Sequence, residues 1–125
     1  MQMSPRMFAL ATAAAITGIA QPAIALAEDA ALKAAIAGPQ RSADHVSRDA
    51  ARHPYESLEF WGVKPKATVI EISPGSGYWT EILAPYAKAT GGTYVAGVAD
   101  LANPKLSDGA RKGRADFEAK YADQA

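Results

Sequence analysis

Cysteine is absent from this chain of 125 residues. That excludes a disulfide framework, a thiolate metal site and lipid attachment through a cysteine. Histidine is scarce: His45 and His53 stand alone, with no third ligand in view, and read as surface or packing residues rather than a metal pair. An excess of either charge is missing as well. The 13 Lys and Arg balance 13 Asp and Glu, which argues against nucleic acid or an anionic membrane surface as a partner. There is no internal repeat, and no low-complexity tract beyond an Ala-rich start.

Charge is also missing locally. Arg6 is the only charged residue before Glu28, and the apolar run MFALATAAAITGIA follows it. Ala25, Leu26 and Ala27 then present small residues at the two positions a signal peptidase reads. A basic start, a short apolar core and a small-x-small end make a secretory signal peptide. The competing reading is an N-terminal anchor, but a span needs about 20 apolar residues, and Gln21 and Pro22 interrupt this run. Residues 1–27 are therefore expected to be a signal peptide cleaved after Ala27. The mature chain would be periplasmic or secreted, without a stable membrane anchor. It would form one small domain of roughly 100 residues with a modest core, held by packing alone.

Residues 28–66 read as a helical N-terminal segment. EDAALKAAIAGP is a short helical or mobile lead-in that Gly38-Pro39 ends. Ser42 or Asp44 caps a helix reaching about Arg52, and Pro54 opens a second helix to about Trp61, where its missing N–H is harmless. From residue 67 the pattern changes. ATVIEI is β-branched and almost wholly apolar, the pattern of a strand covered on both faces, as in a parallel sheet. Tyr78 to about Thr90 reads as a helix with Ile82, Leu83 and Tyr86 on one side, and Pro85 is expected to kink it or to split off its first turn. Gly91-Gly92 ends it, TYVAGVA is a second strand, and the remainder is helical with Ser107 as a cap, weakened by Gly109 and Gly113. Helices followed by β-α-β-α make an α/β chain whose second part, 67–125, is the opening half of a doubly wound fold.

The chemistry concentrates in VIEISPGSGYWTEILAPY, residues 69–86. At the carboxyl end of a parallel strand the chain must turn sharply into a helix. Gly75 and Gly77 permit the turn and leave no side chain between backbone and ligand. The N–H groups that open the next helix attract a carboxylate or phosphate. Glu71 at the strand end suits an ammonium, and Asp100 after the second strand suits ribose hydroxyls. That set serves a zwitterionic nucleoside such as S-adenosylmethionine. A dinucleotide site fits less well, because Thr80 stands where G-x-G-x-x-G has its third glycine. A P-loop needs a Gly-Lys-Ser/Thr that the chain lacks. Ser73 and Ser76 have no legible His–Asp partners, and SPGSG is not the strained G-x-S-x-G elbow, which argues against a serine hydrolase. Tyr78 and Trp79 read as packing rather than a cofactor platform. Arg48, Asp49 and Arg52 read equally as a helix-face ion pair and as a lining of the cofactor mouth.

The same stretch resembles the first motif of class I S-adenosylmethionine-dependent methyltransferases. Together with RDAARHPYESLEFWGVKP it resembles a group of exported bacterial predicted methyltransferases, over about residues 41–104. Arg48, Asp49, Arg52, His53 and Pro54 match that group's first segment, and Glu71, Pro74, Gly75 and Gly77 its second. The resemblance implies a partial Rossmann-like fold. It also implies that Glu71 and the backbone of Ser73, Pro74, Gly75, Ser76 and Gly77 hold the methionine end of the cofactor, with Asp100 as the ribose acid. Ser73 stands where most of the class have their first glycine, a departure the turn accommodates if Ser73 has a negative φ. A full class I sheet has more strands than the two read here, so the chain is expected to be the cofactor-binding front half of a longer methyltransferase. Neither the acceptor nor a catalytic base is legible. The alternatives are a small exported α/β module or inactive remnant that binds no nucleotide, and a homodimer that pairs open sheet edges.

Overall fold

The computed structural model describes residues 28–122, so the expected signal peptide lies outside the described residues. Helix α1 (Ala30–Ala37) starts where the Asp29 side chain accepts the Leu32 N–H at 3.0 Å, and it ends at Gly38. The single helix expected over 42–52 is instead two short ones, α2 (Ala43–Val46) and α3 (Asp49–Arg52). The break has a local cause. The Ser47 hydroxyl donates to the Asp44 carbonyl, and the Asp49 carboxylate turns back to accept both terminal nitrogens of Arg41 at 2.7 and 2.9 Å. His53, at φ +44, then redirects the chain so that Pro54 opens α4 (Pro54–Phe60), as the sequence predicts.

Strand β1 (Thr68–Ile72), α5 (Thr80–Thr90), β2 (Thr93–Gly97) and α6 (Asp108–Tyr121) follow. The strands pair in parallel, Thr68 against Thr93 through Ile72 against Gly97. The protein is thus an α/β chain, a helical layer on a small two-stranded parallel sheet. The expectation that β1 is covered on both faces is not met. Val69 and Glu71 are half-buried on the α5 side, whereas Ile70 and Ile72 are 60% and 74% exposed. Only one face of the pleat has helices against it among the described residues, so alternate residues fall into solvent. The core lies in the helical layer instead. Leu32, Leu58, Tyr78, Ile82, Leu83 and Tyr86 are buried where α1, α4 and α5 meet, and Val69 and Tyr94 pack against them from the sheet.

Helix α5 runs without interruption through Pro85, contrary to the kink or separate first turn expected there. A proline withdraws the N–H that the carbonyl four residues earlier would accept. That carbonyl belongs to Glu81, and the Gln40 side-chain amide supplies the missing donor at 3.0 Å. The same amide nitrogen donates to the Ala35 carbonyl at 2.7 Å, closing the end of α1. Gln40→Ala is therefore expected to lower stability by about 1–3 kcal/mol by leaving both carbonyls short of a donor. Urea denaturation checks this. An unchanged midpoint would mean that water replaces the amide without loss.

Candidate functional site

The turn between β1 and α5 is built from unusual backbone. Ser73, Gly75 and Gly77 all have positive φ, at +56, +59 and +88. Ser73 therefore lacks the negative φ that would accommodate it at the motif's first glycine position; it adopts the left-handed conformation a glycine would take, at a cost of about 1–2 kcal/mol. The Ser73 N–H donates to the Gly97 carbonyl at 2.8 Å, extending the parallel ladder by one rung and holding the residue in this conformation. Inside the turn the Gly77 N–H donates to the Pro74 carbonyl at 2.9 Å. The amides of Gly75, Ser76, Tyr78 and Trp79 donate to no protein acceptor among the described residues.

Two cavities open beside this turn, both walled on the far side by α6. One of about 270 Å³ is lined by Ser73, Pro74 and Gly75 against Val98, Arg114 and Phe117. The other, about 350 Å³, lies between Gly75, Ser76, Phe117 and Lys120. Ser73 to Ser76 thus border one or both of these cavities. The Cβ side of Gly77 is taken by the Tyr121 hydroxyl, which would lie 2.0 Å from an added methyl. Glu71 points elsewhere: its Oε2 accepts from the Tyr94 hydroxyl at 2.7 Å and the Thr80 hydroxyl at 2.9 Å, beneath the sheet. It also borders a separate cavity of about 450 Å³ along the free edge of β1, near Trp61 and Trp79. Burial first, and the Glu71 carboxylate second, push the Tyr94 phenol well above its ordinary range. Asp100 is exposed and caps its own turn, accepting the Ala102 N–H at 2.9 Å.

The residue that organises the site is one the sequence reading passed over. Glu81, in the first turn of α5, is 1% exposed. Its Oε2 accepts the Ser42 N–H at 3.0 Å and meets His45 Nδ1 at 2.8 Å. Its Oε1 meets Lys120 Nζ at 2.8 Å and the Tyr121 hydroxyl at 3.3 Å. Burial by itself would raise the Glu81 pKa, but hydrogen bonds from Lys120, His45 and the Ser42 amide outweigh it and bring the group down to about 2. One carboxylate thus joins α2 with its cap Ser42, α5 and α6. His45, expected at the surface or in plain packing, is 5% exposed and uses both ring nitrogens: Nδ1 meets Glu81, and Nε2 lies 3.0 Å from Ser76 Oγ. With Glu81 ionised, Nδ1 carries a proton toward it, and in the neutral imidazole Nε2 is then the nitrogen that accepts from the serine hydroxyl. The absence of an acid–histidine partnership for Ser76, read from the sequence, is thereby corrected. No local spacing signalled it, because His45 lies 31 residues before Ser76 and 36 before Glu81 in the chain.

Asp49 does not pair with Arg52 along a helix face. It accepts from Arg41 and, at 2.6 Å, from the Tyr78 hydroxyl. Burial, and then the Asp49 carboxylate, push the Tyr78 phenol up to about 12. The guanidinium groups of Arg41 and Arg52 lie 5.1 and 4.5 Å from the Tyr78 ring centre, where they contribute cation–π attraction. Trp79 packs edge-on to Trp61 at 4.9 Å. These contacts brace the start of α5 against α3 and α4.

The fold and site define a small α/β unit with a glycine turn at the carboxyl end of a parallel strand. Compared with protein-family models, curated proteins and solved structures, the chain matches none.

Proposed function

We propose that the turn from Ser73 to Gly77 is the cofactor-binding element of an S-adenosylmethionine-dependent methyltransferase, of which this chain supplies the front part. The observation that carries the reading is that Gly75 and Ser76, whose amides have no protein acceptor among the described residues, border two open cavities at the carboxyl end of two parallel strands. Ligands of parallel α/β sheets bind outside those strand ends, and free amides at a helix start favour a carboxylate such as the cofactor's. The apolar, uncovered face formed by Ile70, Ile72 and Val95 suits a sheet that continues with further strands and helices. In this reading transfer is an in-line displacement at the sulfonium methyl, and the protein contributes by positioning it.

Calorimetric titration with S-adenosylhomocysteine is the direct test, and saturable heat at a one-to-one ratio is expected. No heat from folded protein would refute the cofactor reading. It would favour the alternative of a small α/β module that binds no nucleotide. That alternative draws on two observations, the Tyr121 hydroxyl against Gly77 and the engagement of Glu71 by Tyr94 and Thr80.

A further inference from the structure

The chain Ser76–His45–Glu81 goes beyond a cofactor turn. Ser76 stands between the end of β1 and the start of α5 and is solvent-exposed, while the two groups behind it are buried. Its hydroxyl lies 3.0 Å from Nε2 of an imidazole whose other nitrogen is 2.8 Å from a carboxylate. That is the order and spacing by which a weak hydroxyl nucleophile is activated: a base within reach, and a third group that holds the base in tautomer and orientation. Glu81 is itself immobilised by the Ser42 N–H, Lys120 and Tyr121. The Tyr78 ring stands edge-on to the imidazole at 5.7 Å and restrains its rotation. The amide of Ser76 has no protein acceptor among the described residues, and Ser76 borders the cavity in which an oxyanion would develop. Ser76 borders the cavity of about 350 Å³ between Gly75, Phe117 and Lys120.

We propose that Ser76 is an activated nucleophile, with His45 as its general base and Glu81 as the residue that positions His45, and that the site accepts small carboxylic esters. Ser76 Oγ attacks the carbonyl carbon, and its proton passes to His45 Nε2. The tetrahedral adduct collapses, the ester C–O bond breaks, and the departing alkoxide takes the proton from Nε2 to leave as the alcohol. Water, deprotonated by Nε2, then attacks the acyl-serine. The carboxylic acid is released and the serine hydroxyl is restored, so ester and water become acid and alcohol. A merely structural role for this chain of hydrogen bonds would fasten the turn to α2 without making the serine reactive.

The test is covalent labelling of the full chain with a fluorophosphonate, mapped by peptide mass spectrometry, alongside hydrolysis of p-nitrophenyl acetate. A single adduct on Ser76 is expected, together with ester turnover that the adduct abolishes. His45→Gln, which keeps a polar side chain of similar reach, is expected to slow labelling about 100-fold or more, with circular dichroism confirming that the variant is folded. Mapping the wild-type adduct needs no variant, so the proposal stays open to refutation if His45→Gln does not fold. No adduct, an adduct on another residue, or labelling of folded His45→Gln at the wild-type rate would each overturn it. The inference does not rest on the cofactor reading. S-adenosylhomocysteine binding is measured by heat and serine labelling by mass, so either can fail while the other holds.

Discussion

Glu81→Ala is expected to lower stability by about 3–5 kcal/mol, the loss that follows when one partner of a buried charged network is removed. The reason is the crowding of donors around a single carboxylate. The Ser42 amide, His45 Nδ1, Lys120 Nζ and the Tyr121 hydroxyl all converge on it, and the site is closed to solvent. Small domains have on the order of 5 kcal/mol in total, so the variant should be largely unfolded at room temperature, as read by circular dichroism and urea denaturation. A loss below about 1 kcal/mol would mean that water replaces the carboxylate and that the three elements are not joined through it.

The pH dependence of the same group has a definite sign. The folded protein holds the Glu81 pKa at about 2, below the ordinary 4.5, because the donors around it outweigh burial. A carboxylate depressed on folding stabilises fully above its ordinary pKa, and the stabilisation disappears as pH falls through the folded value. Wild-type stability should thus fall steeply between about pH 5 and pH 2. Asp49, lowered chiefly by its hydrogen bonds with Arg41, acts in the same direction. Glu81→Gln should have a shallower slope over this range, retaining only the Asp49 contribution. Equal slopes in the two proteins would show that Glu81 is not the acid-sensitive group.

Gly77→Ala is the second large effect, and Gly75→Ala is its control. Both glycines have positive φ, so alanine is strained at either position by about 1–2 kcal/mol. At Gly75 nothing lies within 4 Å of the added methyl, and that strain is the whole expected loss. At Gly77 the methyl would meet the Tyr121 ring at 2.5–2.6 Å and its hydroxyl at 2.0 Å. Tyr121 must swing away, giving up its contacts with Glu81 and with the Ser76 and Gly77 carbonyls, and the end of α6 detaches with it. The expected loss is about 2–5 kcal/mol. Urea midpoints for the pair decide the matter, and equal losses would show that Tyr121 does not occupy that space in solution. The pair also informs the cofactor proposal, since Gly75 borders both cavities and Gly77 lines neither.

Much of the fold was legible because it is written in neighbouring residues. The spacing of Ile82, Leu83 and Tyr86 puts them on the buried face of α5, Pro54 opens α4, and Ser107 caps α6 by accepting the Ala110 N–H. The Gly38, Gly62 and Gly91 breaks end the helices they were expected to end. Where the structure departs from this reading, contacts outside the element, or their absence, decide. Pro85 sits in an unbroken helix because Gln40 serves the carbonyl it vacates. The helix expected over 42–52 breaks in two while Arg41 holds Asp49 from outside it. The apolar run of β1 was read as doubly covered, since composition records the hydrophobicity of a strand but not whether a second layer is present to use it.

The sequence by itself determined the order of helices and strands, the parallel crossover and the position of the glycine turn, since each depends on periodicity, caps and backbone freedom within a few residues. The tertiary structure alone decided that His45 is buried, that Glu81 gathers donors from α2 and α6, and that Ser76 meets His45. A buried carboxylate and a buried imidazole are tolerable only when each finds partners. Those partners lie 31 to 40 residues away along the chain, from Ser76 to His45 and from Tyr121 to Glu81, and become neighbours only when the helices pack.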